Sequence, residues 1–267
     1  MMYFYIFILP VIALLSMYGF MSVNWTVNNY EGHQVPYSLG IFILIAYALM
    51  VDYFYIDYLA LSHYALIYLV LIWFIGFIDD KFGQTTPKGI KGHLSYLIKK
   101  RRPTTGIFKI IGTLVGSLFI LLLFEPESVY VVLRYLGLLL LFPHMMNALD
   151  TRPLRVWKSS LFFFIILLFS GFVPSFLVVI YIVTIFYLLL VMEGHRIAML
   201  GDNGATVIGS ILALWTITIV PELGQWLILA FLVMMSGMVE RISLTAVIAR
   251  KPFLNWFDQL GVTTKKT

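Results

Sequence analysis

The sequence predicts an all-α, polytopic membrane protein of about nine transmembrane helices, organised as a single integral membrane domain over residues 1–267. Three observations predict it. The chain is 61% hydrophobic and 12% charged, whereas a soluble domain is about 45–50% apolar and about 25% charged. So few polar side chains do not cover a water-soluble core of this size. The apolar residues fall in blocks close to the roughly 20 residues that cross a bilayer as a helix. Finally, Lys and Arg keep to alternate connections between those blocks. This composition excludes a soluble enzyme and a disordered chain. With no cysteine, a disulfide framework, thiolate chemistry and Cys-bound metal are excluded as well.

In chain order the predicted spans are Met2–Met21, Ser38–Val51, Asp57–Ile78, Gly106–Phe124, Ser128–Met145, Val156–Ser170, Pro174–Met192, Thr206–Val220 and Gly224–Met238. The first has neither the basic n-region nor the small-residue cleavage site of a signal peptide, so it reads as a helix. Eight Lys and Arg lie between Asp79 and Lys109, three between Asn147 and Lys158, and five after Glu240; Arg196 adds one more. These seventeen fall on one side of the nine-span arrangement, and Arg134 alone lies inside a span toward the other. The positive-inside rule then predicts an external N-terminus and a cytoplasmic C-terminus. The net charge of +5 is thereby read as topology, and no nucleic-acid partner is expected. Within the basic segment after the third span, Gly92–Arg102 places Leu94, Leu97 and Ile98 on one helical face, which reads as an interfacial amphipathic helix attracted to anionic lipid.

Three acidic clusters mark span ends on that same side. In Gly76-Phe77-Ile78-Asp79-Asp80-Lys81, two adjacent carboxylates follow an apolar helix. Their repulsion is tolerable beside a cation, and Mg²⁺ takes carboxylate oxygens while keeping waters for a phosphate. An inert interfacial stop is the alternative. In His144-Met145-Met146-Asn147-Ala148-Leu149-Asp150-Thr151-Arg152, Asn147 and Asp150 share a helical face, and Arg152 and Arg155 have the fork geometry that binds phosphate. The alternative is an Asx turn with topology-setting arginines. In Gly201-Asp202-Asn203-Gly204, glycines flank an acid before a helix expected from Thr206, whose N-terminal N–H groups suit an anion. A plain glycine turn competes with that reading. Together the clusters bring Asp79, Asp80, Asp150 and Asp202 to one membrane face among basic residues, an arrangement suited to a divalent cation and a diphosphate.

At these residues the chain resembles the polyprenyl-phosphate N-acetylhexosamine-1-phosphate transferase superfamily. Phe77-Ile78-Asp79-Asp80, Asn147-x-x-Asp150 and Gly201-Asp202-x-Gly204 occur in the family's order at span ends, and Asn29, Gly32, Pro36 and Gly40 resemble its opening Pro/Gly-rich segment. The resemblance runs from about Asn29 to Gly261. It implies transfer of a sugar 1-phosphate from a UDP-sugar to a polyprenyl phosphate such as undecaprenyl phosphate. The reaction would depend on Mg²⁺ and take place at the cytoplasmic face of a bacterial inner membrane, in cell-envelope biogenesis. Carried across, Asp202 and Asp80 are the expected metal residues, Asp79 orients the lipid phosphate, and Asp150 completes the catalytic set. Asn147, Asn203, Arg152 and Arg155 are expected at the nucleotide or sugar. Lys109 pairs with the lipid phosphate or snorkels, and His93 is a sugar contact or a surface histidine. A second copy of the chain, as a homodimer, is the remaining candidate partner.

Departures from the family pattern set the alternatives. Thr151-Arg152-Pro153 replaces the family's Gly-x-Asp, and Ala205 replaces Ser. Leu254-Asn255-Trp256 occupies the frame of three histidines found in phospho-N-acetylmuramoyl-pentapeptide transferases. That favours a simpler N-acetylhexosamine donor over the muramoyl-pentapeptide one. A catalytically lapsed, structural or lipid-binding relative in envelope or spore assembly is the runner-up. A transporter fits less well, because its acids belong near the midplane rather than at span ends.

Overall fold

The computed structural model describes residues 2–53, 60, 62–83, 89–101 and 103–263. Helix α1 (Met2–Ser22) leads into a hairpin of β1 (Thr26–Asn28) and β2 (Gln34–Pro36), then α2 (Leu39–Tyr53), α3 (His63–Phe82) and α4 (Gly89–Lys100). There follow α5 (Thr105–Leu123), α6 (Val129–Leu149), α7 (Arg155–Phe169), α8 (Phe176–Gly194), α9 (Gly201–Ile219) and α10 (Glu222–Val239). Two short helices, α11 (Leu244–Arg250) and α12 (Pro252–Gln259), follow.

Six helices are long and apolar enough to cross a membrane: α1, α5, α6, α8, α9 and α10. The protein is therefore a mostly helical, polytopic membrane protein. The predicted second and sixth spans appear as α2 and α7, of 15 residues each, below the roughly 17 residues that reach across the hydrocarbon unaided. The predicted third span appears as α3, which carries Asp79, Asp80 and Lys81 within its last turn instead of ending before them. Ser62 starts α3 by accepting from the Ala65 N–H at 3.1 Å, and Ser128 does the same for α6 from Val131 at 3.4 Å.

The hairpin departs from a purely helical expectation. Its antiparallel register pairs Thr26 with Pro36 and Asn28 with Gln34. The Asn29 side chain holds the turn by accepting from the N–H groups of Glu31 and His33 at 2.9 and 3.0 Å. Backbone bonds from Met199 N–H to the Pro36 carbonyl and from Leu39 N–H to the Met199 carbonyl fasten the hairpin to the α8–α9 connection.

Helix α9 is the centre of the bundle, with α2, α3, α6 and α7 packed around it. It is the least apolar of the six spanning helices and the most buried, whereas α8 is the most apolar and largely faces outward. That is the order a bilayer imposes, since lipid tails reward apolar surface and small residues let helix backbones approach closely. A Cβ on Gly76 of α3 would lie 2.6 Å from the Asn203 Cα, one on Gly40 of α2 would overlap the Asn203 side chain, and one on Gly209 would lie 2.6 Å from the Phe142 carbonyl oxygen of α6.

The two ends of the bundle carry different chemistry. Near one end, Arg134 of α6 pairs with Glu222 of α10 and lies against the rings of Tyr135 and Trp226, and the Tyr5 hydroxyl donates to Asp52 at 2.7 Å. Arg134, the one basic residue predicted toward the opposite face, is thus neutralised locally. At the other end gather the last turn of α3, the starts of α5, α7 and α9, and the ends of α6 and α8, with α12 over them. Arg155 at the start of α7 is buried and grips Asp258 through Nε at 2.7 Å and Nη2 at 2.8 Å, while Nη1 donates to the hydroxyls of Thr151 and Thr245. Lys158 donates to the carbonyls of Phe257 and Asp258, both at 2.7 Å, capping the end of α12. The segment that ends at Asp258 is thus a helix starting at Pro252, with Leu254 and Trp256 exposed beside Phe253 and Phe257. Replacing Asp258 with Ala strands a buried guanidinium, and loss of one partner of such a pair costs about 3–5 kcal/mol. The expected result is a lower melting temperature in detergent for Asp258→Ala, and partial recovery when Arg155→Met is added.

Candidate functional site

Asp79 sits in the last turn of α3, Lys109 in the first turns of α5, and Asp202 in the first turn of α9. Packing of α3 against both α5 and α9 brings them together. The Lys109 Nζ lies 2.5 Å from Asp202 Oδ2 and 3.4 Å from Asp79 Oδ2. One ammonium is thus shared by two carboxylates, and all three side chains are largely shielded while still reaching the surface.

Asp80 does a different job. Its Oδ1 accepts from the Asp202 N–H at 2.8 Å, and its Oδ2 accepts from the Asn203 N–H at 2.9 Å and the Asn203 side-chain amide at 2.7 Å. A carboxylate from α3 therefore caps the first turn of α9, satisfying N–H groups that a helix start leaves open and opposing its positive dipole end. Gly201, at φ +64°, makes this contact: a Cβ there would lie 2.9 Å from both Asp80 oxygens. The helix starts at Gly201 rather than at the expected Thr206, and the N–H groups of Asp202 and Asn203 in its first turn are bonded to Asp80. The expected metal residue Asp80 thus acts by fixing the backbone of Asp202. Asn203, expected at the substrate, is fully buried and braces Asp80 and the Tyr37 carbonyl. Arg155, also expected there, is committed to Asp258.

A second group adjoins the first. Asn147 and Asp150 close the end of α6, and the Asn147 Oδ1 is buried without a hydrogen-bond partner among the described residues. Burial pushes the Asp150 carboxyl well above the usual range, reinforced by the charge of Glu193 and then of Asp202 and Asp80, with Lys109 opposing; all these groups are close enough to act on one another. A carboxyl with a raised folded-state pKa stabilises the fold below the unfolded value and loses that contribution as pH rises through the folded value. Asp150→Asn removes the loss. Its melting temperature should exceed wild type at pH 8 and match it near the unperturbed carboxyl range of about pH 4.

Arg152 lies 4.1 Å over the Tyr30 ring, and Arg196 lies 5.3 Å from the same ring while pairing with Glu31 at 2.5 Å. His93 falls in α4, and its side chain is outside the described residues. Sequence reasoning missed Glu193 and Tyr30. Glu193, 3% exposed in the last turn of α8, belongs to no motif. Its signal was available all the same, as an acid within an otherwise apolar span. Tyr30 gave no signal beyond its place in the hairpin turn.

Among the described residues, no group of three or more His, Cys, Asp or Glu side chains forms a metal-binding cluster. The donors present are hard oxygens: the Asp202 and Asp79 carboxylates and the unpartnered Asn147 carbonyl. That set fits Mg²⁺, which binds through one or two carboxylates together with substrate phosphates rather than in an all-protein cage. No protein-family model matches the chain, and no curated protein matches it in sequence.

Proposed function

We propose that the protein is a membrane-embedded phospho-sugar transferase that moves a sugar 1-phosphate, of the N-acetylhexosamine type, from a UDP-sugar to a polyprenyl phosphate. The observation that carries this reading is the meeting of Asp79, Lys109 and Asp202, from three helices, at one end of a bundle that otherwise faces lipid. An acidic pair sharing one ammonium beside an apolar surface suits a reaction between an amphiphilic phosphate and a soluble diphosphate. An oxygen of the lipid phosphate attacks the sugar-bearing phosphorus. A new P–O bond forms there, the P–O bond to UMP breaks, and UMP leaves with the electron pair. A phosphate's second pKa is near 6, so the attacking oxygen is already largely deprotonated near neutrality and needs little help from a base. The protein's work is then positioning and charge compensation. Lys109 is placed to hold a phosphate oxygen as it exchanges partners with Asp79 and Asp202. Asp202, with Asp79, would hold Mg²⁺, which when bound neutralises diphosphate charge. Asp80 and Asn203 keep Asp202 in register. On this reading the site faces the cytoplasm of a bacterial inner membrane. Cysteine placed at Lys99 or Lys251 of this cysteine-free chain should react with impermeant reagent only from the cytoplasmic side.

The runner-up, a catalytically lapsed relative, is favoured by the closure of the Asp79–Lys109–Asp202 cluster, which is charge-compensated in part without a ligand. Purified protein in detergent, given undecaprenyl phosphate, Mg²⁺ and a panel of UDP-sugars, separates the two. Release of UMP with simple N-acetylhexosamine donors is expected. Preference for the muramoyl-pentapeptide donor overturns the sugar assignment, and absence of UMP release with every donor favours the lapsed relative.

A further inference from the structure

Beside the acidic cluster lies a cavity of about 350 Å³, within the size range of small-molecule sites. Its walls are the hairpin residues Asn29 and Tyr30, the turn residues Asp150 and Arg152, and Glu193 and Arg196 around the end of α8. Glu193 is nine-tenths buried and more, and its Oε2 has no hydrogen-bond partner among the described residues. The backbone of Leu154, close enough to act on that carboxyl, is held at φ +64°. A non-glycine residue in that region costs energy and persists only where its surroundings enforce it. A buried carboxyl oxygen without a hydrogen-bond partner carries a desolvation penalty that a polar group of a ligand relieves.

The lining narrows what that ligand is. The acids Asp150 and Glu193 share the lining with Arg152 and Arg196, whose guanidiniums lie against Tyr30. Arg196 is already paired with Glu31, whereas Arg152 has no ion-pair partner among the described residues. One face of the Tyr30 ring is covered by Arg152 at 4.1 Å, so a guanidinium rather than a base occupies that face. What remains is a molecule with several hydrogen-bond donors at one end and a negative charge at the other. We propose that this cavity receives the hydroxyl-rich ring of a sugar phosphate, with Glu193 accepting from the ring and Arg152 facing its phosphate. The inference rests on the transferase reading for its placement of the donor's sugar, and makes Glu193 the residue that selects it.

The test is saturation-transfer NMR on the full chain in detergent, with N-acetylglucosamine 1-phosphate, N-acetylglucosamine and UMP as separate probes. Wild type should bind the sugar phosphate through its ring protons. Glu193→Gln keeps the shape but replaces one acceptor oxygen with an N–H₂ donor, and should weaken binding about fivefold, the worth of a neutral hydrogen bond. Arg152→Met, on a half-buried side chain, should weaken the sugar phosphate but not the unphosphorylated sugar. If either variant fails to fold, the other still decides. Equal sugar-phosphate affinity in wild type and a folded Glu193→Gln overturns the proposal, as does absence of binding to wild type. Displacement of UMP rather than sugar by Glu193→Gln also overturns it while leaving the transferase reading intact. Glu193-dependent sugar binding without any UMP release in the turnover assay upholds the cavity and removes the transferase.

Discussion

Replacing Lys109 with Met should reduce UMP release by about 10²–10³-fold, the usual effect of losing one group that stabilises developing charge. Methionine matches the length of the lysine stem but carries no charge, so Asp79 and Asp202 are left facing each other without the ammonium that each now contacts. The variant should also melt at lower temperature, since like charges in a shielded site repel. Asp202→Asn should lose turnover to a similar degree with far less effect on melting, because the amide relieves that repulsion. The double variant should be little worse than either single one, as expected of residues that act as a unit. Helical content should be unchanged in all three, because the cluster sits at the end of the bundle. UMP release within threefold of wild type in either single variant would falsify the assignment of this cluster as the reacting centre.

The second large effect is expected at Gly76, far more than its size suggests. The Cβ of an alanine would lie 2.6 Å from the Asn203 Cα, 2.8 Å from its N and 2.9 Å from the Asp202 carbonyl oxygen. All three are backbone atoms, so no side chain can rotate away and α3 must move off α9. Overpacking of this kind costs about 1–3 kcal/mol and at times more. The same movement pulls Asp80 from the N–H groups of Asp202 and Asn203, so turnover should fall together with stability. Gly237→Ala is the matched comparison. Nothing lies within 4 Å of its added Cβ, and alanine in a helix interior is favoured over glycine by about 0.5–1 kcal/mol. Gly237→Ala should melt at or above wild type, and Gly76→Ala well below it.

The acids at the span ends were the most legible features of the candidate site. Asp79, Asp150 and Asp202 stood out because ionisable groups at the ends of apolar spans are costly unless they are used. Their gathering at one end of the bundle follows from the alternation of spans. Lys109 was visible as a cation one turn into its helix, but its sharing by two acids depends on how α3, α5 and α9 pack, which no local pattern encodes. Asp80 and Asn203 were read toward a metal and a substrate, and their bonding to each other and to the start of α9 was not legible, because a motif gives residue types and spacing but not which lone pairs are already occupied. The β1–β2 hairpin was illegible for another reason. Strands of three residues leave almost no alternation to read, and this pair is held by its Asn29 turn and by Met199 across the chain. Helices α2 and α7 were read as spans from composition, where length sets them apart from the six long ones.

The clasp between Arg155 and Asp258 joins residues 103 apart in the chain, and Thr263 adds a backbone bond to the Gly194 carbonyl at 3.0 Å. A ribosome makes the chain in one direction at about 5–20 residues per second, so the guanidinium waits roughly 5–20 s for its carboxylate. During that interval α7 and the turn bearing Asp150 are already made, while the residues that fasten them are not. The end of the newborn protein that carries Asp150 is therefore its last part to set. A chain interrupted before Asp258 would hold inserted helices around a loosely fixed turn, exposing to quality-control proteases the segment on which the finished molecule most depends.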